Sequence, residues 1–98
     1  MPSIGPMRID SDADRPHLAP HVRLTFDSAR ERHVLLAPET VSVLNDTGAT
    51  ILGLCDGDRT VAEIMAELHR RYDRVVDDEV RRFLARLVAK RWVGVSHG

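Results

Sequence analysis

The pattern of apolar and polar positions divides the chain into a strand-like half and a helical half. Val22, Leu24 and Phe26 alternate with Arg23 and Thr25, the period-two signature of a half-buried strand. His33–Ala37 (HVLLA) is a second strand, ended by Pro38, which has no N–H to give to a ladder. Thr40–Leu44 is a third, with Val41 and Val43 on one face. The polar stretch Asp27–Arg32 and the pair Pro38-Glu39 connect them, which predicts an antiparallel meander. Its outer edges stay unpaired unless something covers them.

Beyond Leu44 the period becomes helical. Asn45, Asp46 or Thr47 can cap a first helix over Asp46–Cys55, with Ile51, Leu52 and Cys55 on one side. Gly48 and Gly53 each weaken its propensity by roughly 1 kcal/mol relative to Ala, which points to close packing against a neighbour. Asp56-Gly57 reads as a left-handed stop. Thr60-Val61-Ala62-Glu63 is a capping box, and Val61, Ile64, Met65, Leu68 and Tyr72 keep helical spacing behind it. Asp77 or Asp78 is expected to cap a third helix, on which Val80, Phe83, Leu84, Leu87 and Val88 recur at i, i+3, i+4, i+7 and i+8. It should end near Lys90 or Arg91, with Val93 and Val95 in a final extended segment. The expected fold is α+β and winged helix-turn-helix-like: a three-stranded antiparallel sheet followed by a three-helix bundle, β-β-β-α-α-α. Residues 1–16, with three prolines, an acidic run and no period, read as a flexible tail. Residues 17–95 form the domain, and 96–98 a frayed end.

Composition narrows the function classes. Ninety-eight residues, 43% hydrophobic and 30% charged, suffice for one modest core. With four aromatic residues, that core must be mainly Val, Leu, Ile and Ala. A net charge of −1 weighs against a dedicated polyanion binder. Cys55 is the single cysteine, so no intramolecular disulfide forms, which fits a reducing compartment. The N-terminus lacks a secretory n- and h-region. No apolar run approaches the roughly 18 residues of a membrane span. A soluble cytoplasmic protein without a membrane partner is the expectation.

Catalytic chemistry finds little support. His17 and His21 are four apart but not on a helix, and His33, His69 and His97 have no sequence partner. No Cys/His cluster has zinc spacing, so no metal or cofactor is expected. Cys55 sits at the helix end that disfavours a thiolate, and reads as a small buried hydrophobe. Capping and turn roles account for most of the carboxylates Glu39, Glu63, Glu67, Asp77, Asp78 and Glu79, and no phosphate-binding glycine loop occurs. An enzyme is not expected, and no residue is nominated as catalytic. Arg82, Arg86 and Lys90 fall at i, i+4 and i+8 with Arg81 and Arg91 nearby, so a winged-helix DNA-binding protein is the alternative. That helix carries no Asn, Gln, Ser or Thr between Asp78 and Lys90 to read bases. A solvated basic face is the preferred reading, and a nucleic-acid partner is disfavoured.

The third strand and third helix offer a different surface. Free backbone groups along an outer strand can pair with an extended peptide, and the helix supplies an apolar wall. The N-terminal tail or a second copy of the chain, as a homodimer, are the other candidates to cover that edge.

The order and spacing of several elements resemble the PqqD family of pyrroloquinoline quinone (PQQ) biosynthesis. They are Pro16-x-Leu18-Ala19-Pro20-x-Val22-Arg23-Leu24, Val34-Leu35-Leu36-x-Pro38-Glu39, Leu44-Asn45, Ile51-Leu52-x-Leu54-x-Asp56-Gly57 and Thr60-Val61-x-x-Ile64. The resemblance spans roughly residues 16–95. It implies a non-catalytic peptide chaperone, a RiPP precursor recognition element. Such a protein binds the precursor peptide PqqA by strand addition and presents it to the radical-SAM enzyme PqqE. The peptide-binding residues expected are Thr40, Val41, Ser42, Val43 and Leu44 on the strand, with Val80, Leu84, Leu87 and Val88 as the wall. Arg81 and Arg82 are expected to steer an acidic precursor. One departure concerns the end of the third helix: where members of the family often carry Lys-Gly, this chain has Lys90-Arg91-Trp92-Val93.

Overall fold

The computed structural model describes residue 9 and residues 11–96. In chain order the elements are β1 (Arg15–Leu18), β2 (Arg23–Asp27), β3 (Arg32–Ala37), β4 (Thr40–Val43), α1 (Asp46–Gly53), α2 (Val61–Arg71), α3 (Asp77–Ala89) and β5 (Val93–Ser96). The expected meander is present as the antiparallel sheet β2-β3-β4, and three helices follow it. A second, two-stranded antiparallel sheet joins β1 to β5.

The meander is shaped by its connections. Pro38-Glu39 closes the β3–β4 hairpin between the paired Ala37 and Thr40, with Glu39 in the left-handed region at φ 61. On one face Leu24 opposes Leu35, and Leu35 is fully buried in the core. Leu52 of α1, Ile64 and Leu68 of α2, and Leu84 of α3 complete its centre, each at most 1% exposed. Each such side chain contributes about 1.5–3 kcal/mol relative to exposure.

Helix starts follow the side chains that satisfy their free N–H groups. Asn45 caps α1 by accepting from the Gly48 N–H at 2.7 Å. The predicted box on α2 is formed: the Glu63 N–H donates to Thr60 Oγ1 at 3.1 Å, and the Thr60 N–H to Glu63 Oε1 at 2.8 Å. Two further N–H groups of that first turn, on Val61 and Ala62, donate to the carbonyls of Asp14 and Asp12, each at 2.9 Å.

Residues 11–16, read above as tail, are therefore joined to the domain. The Asp12 carboxylate also takes a bidentate pair from Arg81, at 3.0 and 2.7 Å, and Pro16 is buried within the β1–β5 pair. A proline-bearing strand only four residues long hides from a periodicity test, because its partner lies at the far end of the chain. The rest of the expected tail, residues 1–8 and 10, lies outside the described residues. Of the expected frayed end, Ser96 pairs with Arg15, while residues 97 and 98 lie outside them.

Two helix boundaries differ from expectation. α1 ends at Gly53 with Leu54 as its C-cap, and Gly57, at φ 84, instead turns the loop so that its N–H reaches the Pro16 carbonyl at 3.0 Å. Neither Asp77 nor Asp78 caps α3: Val76 is the N-cap, without a side-chain hydrogen bond. Asp77 is held by His69 at 2.7 Å and Asp78 by Arg81 at 3.1 Å, so both sit in the first turn as favourable charges.

Candidate functional site

β3 bonds only one edge of β4, and the ladder tells which groups remain. The Leu44 N–H donates to the directly opposed His33 carbonyl at 2.9 Å. Hydrogen-bonded and non-bonded pairs alternate along an antiparallel ladder. Ser42 and Thr40 therefore also turn their backbone groups towards β3, opposite Leu35 and Ala37. Val41 and Val43 turn theirs outward. Among the described residues no strand pairs with that edge, and the two valine side chains are 53% and 48% exposed.

Facing the end of this edge is α3, and between them runs a groove of about 500 Å³. One side is built by Ser42, Val43 and Leu44, continuing into Asn45, Thr47, Gly48 and Ile51 of the α1 start. The other is one face of α3, with Val76, Glu79, Val80, Phe83, Arg86, Leu87 and Lys90, and Trp92 beyond it. Those positions recur every three or four residues, as one helical face must.

Gly48 explains how closely the walls approach. A Cβ there would lie 3.0 Å from the capping Asn45 Oδ1 and 3.3 Å from the Phe83 ring. The glycine read from sequence as a packing residue thus lets the Phe83 ring lie against α1. At the other end α3 stops in a Schellman arrangement: the Trp92 N–H donates to Leu87 O at 3.0 Å and the Arg91 N–H to Val88 O at 2.9 Å. Arg91 adopts φ 65, so this helix ends in the left-handed manner without a glycine, and Trp92 is delivered to the groove.

The charges within the groove are uneven. Arg74, Arg86 and Lys90 line it together with one carboxylate, Glu79. The Arg86 guanidinium lies 5.9 Å from the Phe83 ring centroid and the Lys90 ammonium 4.7 Å from that of Trp92. Neither forms an ion pair among the described residues, whereas Arg30, Arg59, Arg70, Arg71 and Arg81 all do.

Of the residues nominated from sequence, the groove brings together Ser42, Val43, Leu44, Val80 and Leu87. Thr40 and Val41 extend the same strand. Leu84 and Val88 do not line the groove; at 0% and 2% exposure they belong to the core behind it. Arg81 also lies elsewhere, turned to the N-terminal segment by Asp12, whose carboxyl the Arg81 hydrogen bond holds below the usual range. Arg82 lines a separate depression with Ile9, Ser11 and Asp12. The reason is angular: each helical step turns about 100°, so the apolar stripe of α3 is wider than its groove-facing part. Phe83, Trp92 and Gly48 are not among the expected site residues, and Arg86 and Lys90 are expected only as phosphate contacts in the DNA-binding alternative. The signal for those on α3 is the row one step around from the core stripe, where Phe83 is followed at helical spacing by the basic Arg86 and Lys90.

No cluster of His, Cys, Asp and Glu suited to a metal occurs among the described residues. Burial pushes the Cys55 thiol up to about 12, with Asp56 adding to the effect, so it is a poor nucleophile. Its Sγ–H donates to the Ile51 carbonyl at 3.3 Å. No helix among the described residues is long and apolar enough to cross a membrane.

Comparison with known proteins agrees on one family. A family model described as coenzyme PQQ synthesis protein D (PqqD) matches residues 32–93, which contain both walls of the groove. A PqqA binding protein of Rahnella aquatilis is 40% identical over 73 residues, 72% of this chain and 77% of its own length. One from Klebsiella pneumoniae is 44% identical over 73 residues, 72% of this chain and 79% of its own. The bifunctional coenzyme PQQ synthesis protein C/D of Methylorubrum extorquens is 40% identical over 84 residues, 83% of this chain but 23% of that longer one. The solution NMR structure of the PqqD truncation of Methylobacterium extorquens PqqCD represents a functional, stand-alone RiPP recognition element. It matches with a TM-score of 0.73 at 38% identity, covering 89% of this chain and 96% of that one.

Proposed function

This chain belongs to the PqqD family, coenzyme PQQ synthesis protein D, and on that premise we propose that it is a non-catalytic adaptor that binds the PqqA peptide in PQQ biosynthesis. The observation that carries the reading is the outward-turned backbone of Val41 and Val43, an edge whose Val43 end borders a groove walled by both apolar and charged residues of α3. An extended peptide pairing with those residues continues the β2-β3-β4 sheet by one strand and lays alternate side chains into the groove. Its backbone bonds supply affinity with little sequence preference. Val80, Phe83 and Leu87 supply the apolar contacts that select side chains.

The finer proposal is that the chain presents the bound peptide to the radical-SAM enzyme PqqE. Strand addition suits presentation, because it holds one segment straight and leaves the rest of the peptide free. The bifunctional C/D relative supports the idea that this domain works beside another PQQ synthesis protein.

Calorimetric titration of synthetic PqqA into the chain tests the reading. Saturable one-to-one binding in the micromolar range or tighter is expected. No heat at tens of micromolar, with PqqE present or absent, would contradict it.

A further inference from the structure

We propose that Arg86 and Lys90 form a carboxylate-binding subsite at the Trp92 end of the groove, taking one Glu or Asp side chain of the bound peptide. The inference rests on the strand-addition reading and specifies the chemistry of that same site.

Three observations carry it. Arg86 and Lys90 are one helical turn apart on the groove face of α3, about 6 Å along the axis, so one carboxylate fits between the two cations. Phe83 and Trp92 hold those cations by their rings, at 5.9 and 4.7 Å. Such contacts localise the charge but leave the N–H donors, five on a guanidinium and three on an ammonium, available for hydrogen bonds. Among the described residues the only carboxylate lining the groove, Glu79, is seven positions before Arg86 and bonded to neither cation. An acidic side chain entering here meets two cations without an ion-pair partner among the described residues.

Charge elsewhere on α3 shows why the subsite is local. Arg81 is already bonded to both Asp12 and Asp78, so it offers little to an incoming acid. Arg82 faces the depression beside the N-terminal segment. Selectivity for an acidic residue then depends on where along the peptide the carboxylate lies, as well as on total charge.

The test is a double-mutant cycle read by fluorescence anisotropy with labelled synthetic PqqA and a set of its single Glu→Gln and Asp→Asn variants. The proteins are the native chain, R86Q/K90Q, and R82Q as a control, with circular dichroism verifying the fold of each. One peptide substitution is expected to weaken binding to the native chain about tenfold and to change binding to R86Q/K90Q less than twofold. R82Q should bind the native peptide as the native chain does. If R86Q/K90Q binds native PqqA as tightly as the native chain, or R82Q weakens it equally, the subsite is overturned while the peptide reading stands. Absence of binding by the native chain overturns both.

Discussion

At the scale of single residues, Arg91 is the clearest case of a local rule broken in a defined way. The left-handed region costs a side-chain-bearing residue about 1 kcal/mol or more, and glycine is the usual occupant at this helix-ending position. Arg91 takes it at φ 65 with both Schellman hydrogen bonds in place. Arg91→Gly should therefore stabilise the chain, by about 0.5–1 kcal/mol in urea denaturation, with unchanged circular dichroism. A loss of stability would show that the arginine side chain supports the turn. Thr60→Ala is the opposite case: it removes the oxygen that accepts from the Glu63 N–H, and a loss of about 1 kcal/mol is expected in the same assay.

Elements were legible in the sequence where their signal is local. The alternation Val22–Phe26, the Pro38-Glu39 turn and the Thr60–Glu63 box each lie within a few residues, and each occurs where expected. β1 was not legible, because what makes it a strand is β5, at the other end of the chain. The groove was legible by half. Its strand wall lies within the expected segment Thr40–Leu44, but which backbone groups face outward follows only from the ladder with β3. Its helical wall was not legible, since a stripe such as Val80-Phe83-Leu84-Leu87-Val88 spans both the core and the groove, and only packing assigns Leu84 inward and Phe83 outward.

The alternation in β4 gives a prediction at the same scale. Proline is tolerated in an edge strand where its missing N–H would have faced outward. Val41→Pro should leave the β3–β4 ladder intact yet weaken peptide binding about tenfold or more, by removing one inter-strand donor and blocking the approach. Ser42→Pro removes a donor directed at Leu35 and should instead lower the unfolding midpoint. Equal effects of the two substitutions on stability would contradict the assigned edge.

For the whole molecule, the N-terminal segment, α2 and α3 are linked by charge as well as packing. Hydrogen bonds hold several carboxyls below their usual range: Arg81 acts on Asp12, the Asp58 N–H on Asp56, the Thr60 N–H on Glu63, and Arg71 on Glu67. A carboxyl depressed in the folded state adds stability that is present above its unfolded value, about 4, and is lost as pH falls through the folded value. The urea midpoint should thus be flat from neutral pH to about 5 and fall below about 4. Asp12→Asn should remove part of that fall by lowering the neutral-pH plateau. Asp56 and Glu63 are exposed, and Asp12 and Glu67 only partly buried, so each contribution is modest.

The central claim is that the peptide adds as a strand to the outward edge of β4. Amide hydrogen exchange, followed by NMR with and without saturating PqqA, tests it most directly. The account predicts that Val41 and Val43 gain protection, while Ser42 and Leu44, already bonded to β3, change little. Tight binding that leaves the Val41 and Val43 amides exchanging at their free rates would contradict it.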